Sequence, residues 1–130
     1  MRKHFAALAL LAAAALAGCS SEIIRATGTA PLDAYENRNL SVMQKVQLAK
    51  RAALIDAQRN LLEEYAGTVL SSQTEVKNFV AENDYIITSS KGLIRGVHRE
   101  SDGLTPDQRA VVVEVWARQS EFEAELKKHW

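Results

Sequence analysis

The stretch SVMQKVQLAKRAALIDAQRNLLEEYAG, residues 41–67, carries the clearest period in the chain and decides how the rest is read. Ser41 stands three residues before Gln44, the spacing at which a side-chain oxygen and a side-chain amide each satisfy the other's free backbone N–H at a helix start. The residues between are strong helix formers with no proline. Gly67 offers a stop, since glycine takes the left-handed conformation that ends many helices. The spacing predicts a helix over 42–66. Val42, Val46, Ala49, Ala53, Ala57 and Leu61 fall on one side of it. The alanines at the centre of that side let a helix lie close against a sheet. A second apolar stripe, Leu48, Ile55 and Leu62, repeats every seven residues roughly opposite. Two stripes are more than one sheet face covers. Either the C-terminal segment covers the second, or another subunit does, which makes Leu48, Ile55 and Leu62 candidate interface residues.

Outward from this helix the elements are shorter. IIRATGTA, 23–30, is rich in β-branched residues and reads as a strand, punctuated by Gly28 and Pro31. PLDAYENRN, 31–39, is a loop. TVLSSQTEV, 68–76, shows weak alternation and reads as a returning strand. In DYIITSSKG, 84–92, Asp84 and Gly92 suit the ends of a short helix, while Ile86, Ile87 and Thr88 favour strand; the reading adopted is a short helix. LIRGVHRES, 93–101, and RAVVVEVWAR, 109–118, read as strands of a hairpin around the turn 102–108. Val111, Val113 and Val115 point one way, and Val112, Glu114 and Trp116 the other. Trp116, on so apolar a strand, reads as core. QSEFEAELKKHW closes the chain as an amphipathic helix. Strand, long helix, strand, short helix and hairpin together predict an α+β fold, a long helix packed on a small antiparallel sheet.

The front of the chain has a different logic. Met1-Arg2-Lys3 is positive, and FAALALLAAAALA, residues 5–17, is an apolar run of 13 residues. A helix needs about 20 apolar residues to cross a bilayer core of about 30 Å. A basic start, a short apolar middle and small residues at its end make a secretory signal peptide, residues 1–18. The run ends in Leu16-Ala17-Gly18-Cys19, which looks like the lipobox of bacterial lipoproteins. That resemblance implies that a diacylglycerol joins the Cys19 thiol, that cleavage falls before Cys19, and that the new amino terminus is acylated with a fatty acid such as palmitate. Cys19 is the single cysteine of the chain, so an attachment role accounts for a thiol that has no disulfide partner. Two or more buried acyl chains hold a soluble domain stably at a membrane. Residues 19–22 then form the lipidated residue and a short tether, and 23–130 a single domain with a helical tail. The residue after Cys19 is Ser20. The lipoprotein sorting pattern keeps an aspartate at that position at the inner membrane, so its absence points to the outer membrane of a Gram-negative bacterium, with the domain facing the periplasm.

The chain holds 16 basic and 16 acidic residues. Loss of Arg2 and Lys3 leaves a mature net charge of −2, which excludes the basic face that nucleic-acid binding requires. His98 and His129 are the histidines left after the signal peptide, with no second cysteine to join them, so neither a metal site nor any other cofactor is expected. No phosphate-binding loop is present, because Gly92 and Gly96 lack the spacing and the lysine-serine end. Asp56, Arg59 and Glu63 are spaced for ion pairs along a helix surface.

Two motifs taken together carry a wider resemblance. Asp56-Ala57-x-Arg59-Asn60-Leu61-x-Glu63 on an alanine-rich helix ending at Gly67, then Gly92-Leu93-Ile94-Arg95-Gly96 ahead of a valine-rich strand, resemble the twenty-kilodalton bacterial outer-membrane lipoprotein family, whose domain also occurs in FlgP-type flagellar lipoproteins. The order and spacing agree over about residues 24–118. The resemblance implies a small α+β domain at the outer membrane and, in some members, assembly into rings or discs around the flagellar motor. It implies no catalytic residue. Arg95 joins the candidate interface residues as a group able to meet an acidic partner. The resulting expectation is a non-enzymatic, lipid-anchored structural protein that contacts copies of itself or other envelope and flagellar basal-body proteins. The competing expectation is a module holding a small apolar or peptidoglycan-derived ligand between helix and sheet, which needs a cavity of about 300 Å³ or more.

Overall fold

The computed structural model describes residues 22–36, 38–89 and 92–130. Strand β1 (Ile23–Pro31) is followed by a single turn of 3-10 helix (Asp33–Tyr35), helix α1 (Val42–Val69), helix α2 (Gln73–Ser89), strand β2 (Val97–Leu104), strand β3 (Ala110–Arg118) and helix α3 (Gln119–Lys127). The strands form one antiparallel sheet in the order β1-β3-β2. The fold is therefore the expected one in class: a long helix lying on a small antiparallel sheet.

The last strand sits in the middle because it is the most apolar. Val111, Val113, Val115 and Ala117 alternate inward and are buried. They face Ile24, Gly28 and Ala30 of β1, with Ile23 paired to Arg118 and Pro31 to Ala110. On the inner face Ala49, Ala53, Ala57 and Leu61 of α1 are fully buried. The predicted sheet-facing stripe is thus in place, except at its first residue. A helix of 28 residues is about 42 Å long, whereas a strand of 9 residues covers about 30 Å. The first turns of α1 therefore overhang the sheet, and Val42 is 77% exposed.

The start of α1 is as the sequence indicates. The Ser41 hydroxyl accepts from the Gln44 N–H at 3.2 Å, and the Gln44 side chain accepts from the Ser41 N–H at 2.9 Å. Its end is not, because the helix runs through Gly67 to Val69. Nothing lies within 4 Å of where a Gly67 side chain would be, and in an open helical position glycine is less favourable than alanine by about 0.5–1 kcal/mol. Gly67→Ala should raise the melting temperature by a few degrees, as read by circular dichroism.

The segment 68–76 is not a strand, and 84–92 is not a separate short helix. Residues 68–69 end α1, 73–76 begin α2 and 84–89 finish it, with residues 70–72 as the turn between the two helices. Ser72 and Glu75 supply the physical reason. The Ser72 hydroxyl accepts from the Glu75 N–H at 3.2 Å, and the Glu75 carboxylate accepts from the Ser71 N–H and hydroxyl at 3.3 and 3.1 Å. Ser-x-x-Glu is itself a helix-start signal. Asp84, read from the sequence as a cap, lies in mid-helix. Ile86 and Ile87 are buried against the core, and that burial overrides their preference for strand.

The hairpin agrees with expectation, with β2 starting four residues later than read and carrying a register shift between Arg99 and Ser101. Trp116 is not core. It stands half-buried on the outer sheet face, its ring stacked on His98 with centroids 4.3 Å apart, and Arg25 pairs with Glu100 on that same face. A smaller cluster closes the other side. Tyr65 of α1 meets Phe122 of α3 edge-on at 5.6 Å and Phe79 of α2 at 6.1 Å. Trp130 packs on Phe79 and donates to the buried Asn83 at 2.8 Å. Burial, followed by the nearby Glu123 carboxylate, pushes the Tyr65 phenol above its ordinary pKa.

Candidate functional site

Four polar residues of the α1 motif, Asp56, Gln58, Arg59 and Asn60, have partners elsewhere in the fold. Asp56 accepts from the Thr29 backbone N–H at 2.9 Å, and Asn60 donates to the Thr27 carbonyl at 2.7 Å. One helical turn apart, they clamp the free edge of β1. Arg59 does not pair along its own helix as expected. It reaches Asp84 of α2 at 2.7 Å, and that hydrogen bond holds its guanidinium above the ordinary pKa. Gln58 is fully buried. Its amide accepts from the Ile94 N–H at 2.7 Å and donates to the Gly92 carbonyl at 3.2 Å. The two motifs singled out in the sequence are therefore one structural unit, since a glutamine in the first pins the backbone of the second. Gly96 then turns the chain into β2 with φ +89°, a conformation glycine adopts without strain.

Gly28 completes this unit. A methyl group there would stand 2.1 Å from both the Ala53 oxygen and the Ala57 nitrogen. Backbone lies on backbone at the centre of the helix–sheet seam, so the place where a small ligand was to sit is filled. Open grooves lie outside it. One of 450 Å³ runs between α1 and α2, lined by Arg59, Glu63, Lys77, Val80, Ala81 and Asp84. Another of 390 Å³ is lined by Leu40, Met43, Gln44, Gln47, Leu48 and Arg51.

The candidate interface residues do not share one surface. Leu62 is fully buried in the core. Ile55 is half-buried and packed against that core. Leu48 is half-buried on the 390 Å³ groove. Arg95 is exposed in the turn before β2 and has no ion pair among the described residues. The stripe is thus covered at its C-terminal end by α2 rather than by the chain terminus, and open only near the helix start. There Met43, which sequence reasoning passed over, is 75% exposed beside Val42. The available signal was length: a helix so much longer than its strands has a turn that no strand covers. Cys19 lies outside the described residues.

The molecule has two distinct ends. The Gln119 backbone N–H donates to the Glu22 carbonyl at 2.8 Å, and its side chain donates to the Thr68 hydroxyl at 3.3 Å. The beginning of β1, the end of α1 and the end of β3 therefore meet at one pole, the pole that holds Glu22. The Val42–Met43 pair lies at the other, about 39 Å away along α1. Among the described residues no helix is long and apolar enough to cross a membrane, and no group of three or more His, Cys, Asp or Glu side chains could hold a metal ion. No protein-family model, no curated protein and no solved structure matches the chain.

Proposed function

We propose that this protein is a non-enzymatic lipoprotein of the outer membrane, moored through acyl chains on Cys19, that serves a structural role in the cell envelope. The observation that carries its mode of action is the exposed Val42–Met43 pair beside the Leu40–Leu48 groove, at the pole farthest from the tether. Side chains of this size exposed together are typical of contact surfaces. Arg51 at the rim of the groove suits a partner with acidic residues. The contact is made with a second copy or another envelope protein, and the resemblance of the two motifs to flagellar lipoproteins adds the basal body as a setting.

Two experiments test this reading. Cys19→Ser should abolish uptake of labelled palmitate and release the product from the membrane fraction, whereas the native chain is labelled and membrane-bound. A native chain that takes up no label overturns the anchor. For the distal contact, the lipid-free mature domain should self-associate in sedimentation experiments. Met43→Asp should weaken that association at least tenfold and leave the melting temperature unchanged, because the side chain is already 75% exposed. A domain that stays monomeric at high concentration removes self-association from the proposal.

A further inference from the structure

We infer that the outer face of the sheet is a docking surface for an uncharged glycan chain of N-acetylated hexoses, with Trp116 as the stacking platform and Glu114 as the acceptor for the acetamido N–H. This goes beyond the contact at Val42–Met43 and does not depend on acylation of Cys19.

Helix α1 covers one face of the sheet, and the strand register defines what the other face carries. Arg25, Trp116 and His98 lie side by side across the three strands. Thr27, Glu114 and Ser101 form the next row, and Thr29, Val112 and Gly103 the row after that. Residues directly opposite in a register share a face. Side-chain contacts join the rows. His98 stacks on Trp116 with centroids 4.3 Å apart, and Arg25 of β1 reaches across β3 to pair with Glu100 of β2. Glu114 is half-buried on the central strand. Neither its carboxylate, nor the Trp116 indole N–H, nor the hydroxyls of Thr27, Thr29 and Ser101 have a hydrogen-bond partner among the described residues.

Charge and hydrogen bonding name the occupant. Arg25 and Arg118 balance Glu100 and Glu114, so the face is formally neutral and attracts neither a polyanion nor a polycation. An apolar helix or sheet laid here would bury the carboxylate and the hydroxyls of the middle row without partners, which is costly. A sugar ring suits both halves of the face. Its C–H side stacks on an indole, and its hydroxyls pair with carboxylate and hydroxyl side chains. An acetamido group adds one N–H donor, one carbonyl acceptor and a methyl group. Three successive outer-face residues of β3 answer to these in kind: Glu114 accepts, the Trp116 N–H donates, and Val112 is apolar.

The test titrates the full mature chain, as cells produce it and kept in mild detergent, with chitotetraose as the probe. Calorimetry should give a Kd of about 1 mM or tighter. In a heteronuclear NMR spectrum the indole N–H signal of Trp116 should shift while that of Trp130 stays in place. Trp116→Ala should weaken binding at least tenfold, and Glu114→Val, a residue that suits a strand, at least threefold. Trp116→Phe keeps a ring against His98 and removes the indole N–H. It should melt as the wild type does and bind at least threefold more weakly, which carries the test if Trp116→Ala folds poorly. Maltotetraose, without acetamido groups, should also bind at least threefold more weakly. Equal binding of the two sugars overturns the N-acetyl assignment. Binding unchanged in both Trp116→Phe and Glu114→Val puts the sugar elsewhere and overturns the inference. Preference for a heparin tetrasaccharide, or for an N-acetylated dipeptide, means that the face reads charge or peptide instead, which also overturns it. No heat and no shift with chitotetraose does the same and leaves the Val42–Met43 contact standing.

Discussion

Gly28→Ala should cost the domain more than about 3 kcal/mol, the upper end of what one overpacked methyl group does, and lower its melting temperature by more than about 12 °C. Such a substitution is usually mild in a strand. Here the added carbon would lie 2.1 Å from the Ala53 oxygen and 2.1 Å from the Ala57 nitrogen. Both are backbone atoms of α1, so no side-chain rotation relieves the clash. Relief requires the helix to lift off the sheet. That would separate the fully buried Ala49, Ala53, Ala57 and Leu61 from their partners on β3. It would also stretch the bonds from Asp56 and Asn60 to Thr29 and Thr27. A total stability of 5–15 kcal/mol is usual for a domain, so the variant is close to unfolding at ordinary temperature. Thermal melts of Gly28→Ala and Gly103→Ala check the argument. At Gly103, also in a strand, nothing lies within 4 Å of an added carbon, and the melt should stay within a few degrees of wild type. A stable, well-folded Gly28→Ala protein would show that helix and sheet are not seated backbone to backbone.

Gln58→Leu should be nearly as harmful, by about 2–3 kcal/mol, although leucine fills a similar volume. The bond from the Ile94 N–H to the Gln58 side chain is buried. Removing its acceptor leaves that N–H without a partner in a place water does not reach, which costs about 1–3 kcal/mol. The damage should be local before it is global. Amide hydrogen exchange at Ile94 and at Val97, whose own N–H donates to the Ile94 carbonyl at 3.0 Å, should accelerate well beyond the change in overall stability. Uniform acceleration across all strands would mean that Gln58 acts only through general packing.

The position of Gln58 shows how much the sequence discloses and where it stops. The helix start and the sheet-facing alanines were legible because both are local matters of spacing along one element. So was the apolar alternation of the last strand. The role of Gln58 was not, because a polar residue in mid-helix reads as solvent-facing until the segment that covers it is known. The same applies to Arg59, which had acidic neighbours at helical spacing and chose instead a carboxylate on the next helix. The error over 68–76 has a different origin. Ser72 and Glu75 carried a helix-start signal of the same kind as Ser41 and Gln44, but the segment was read by its weak alternation instead. For the candidate interface, a seven-residue repeat placed Leu48, Ile55 and Leu62 on one stripe. No rule of spacing could say that α2 would close over one end and leave the other open. Exposure is a property of the packed molecule.

Strand β1 is the first element of the fold and β3 the last strand, and they are direct neighbours along their whole length. The ribosome therefore releases the two halves of this pairing at opposite ends of synthesis. Until Arg118 has emerged, β1 has no strand beside it and α1 has no sheet to lie on. Contacts so distant along the chain form late and slowly. A nascent chain of this design stays open through most of its production, a state compatible with being threaded through a translocation pore. It acquires its shape only when its final strand is delivered.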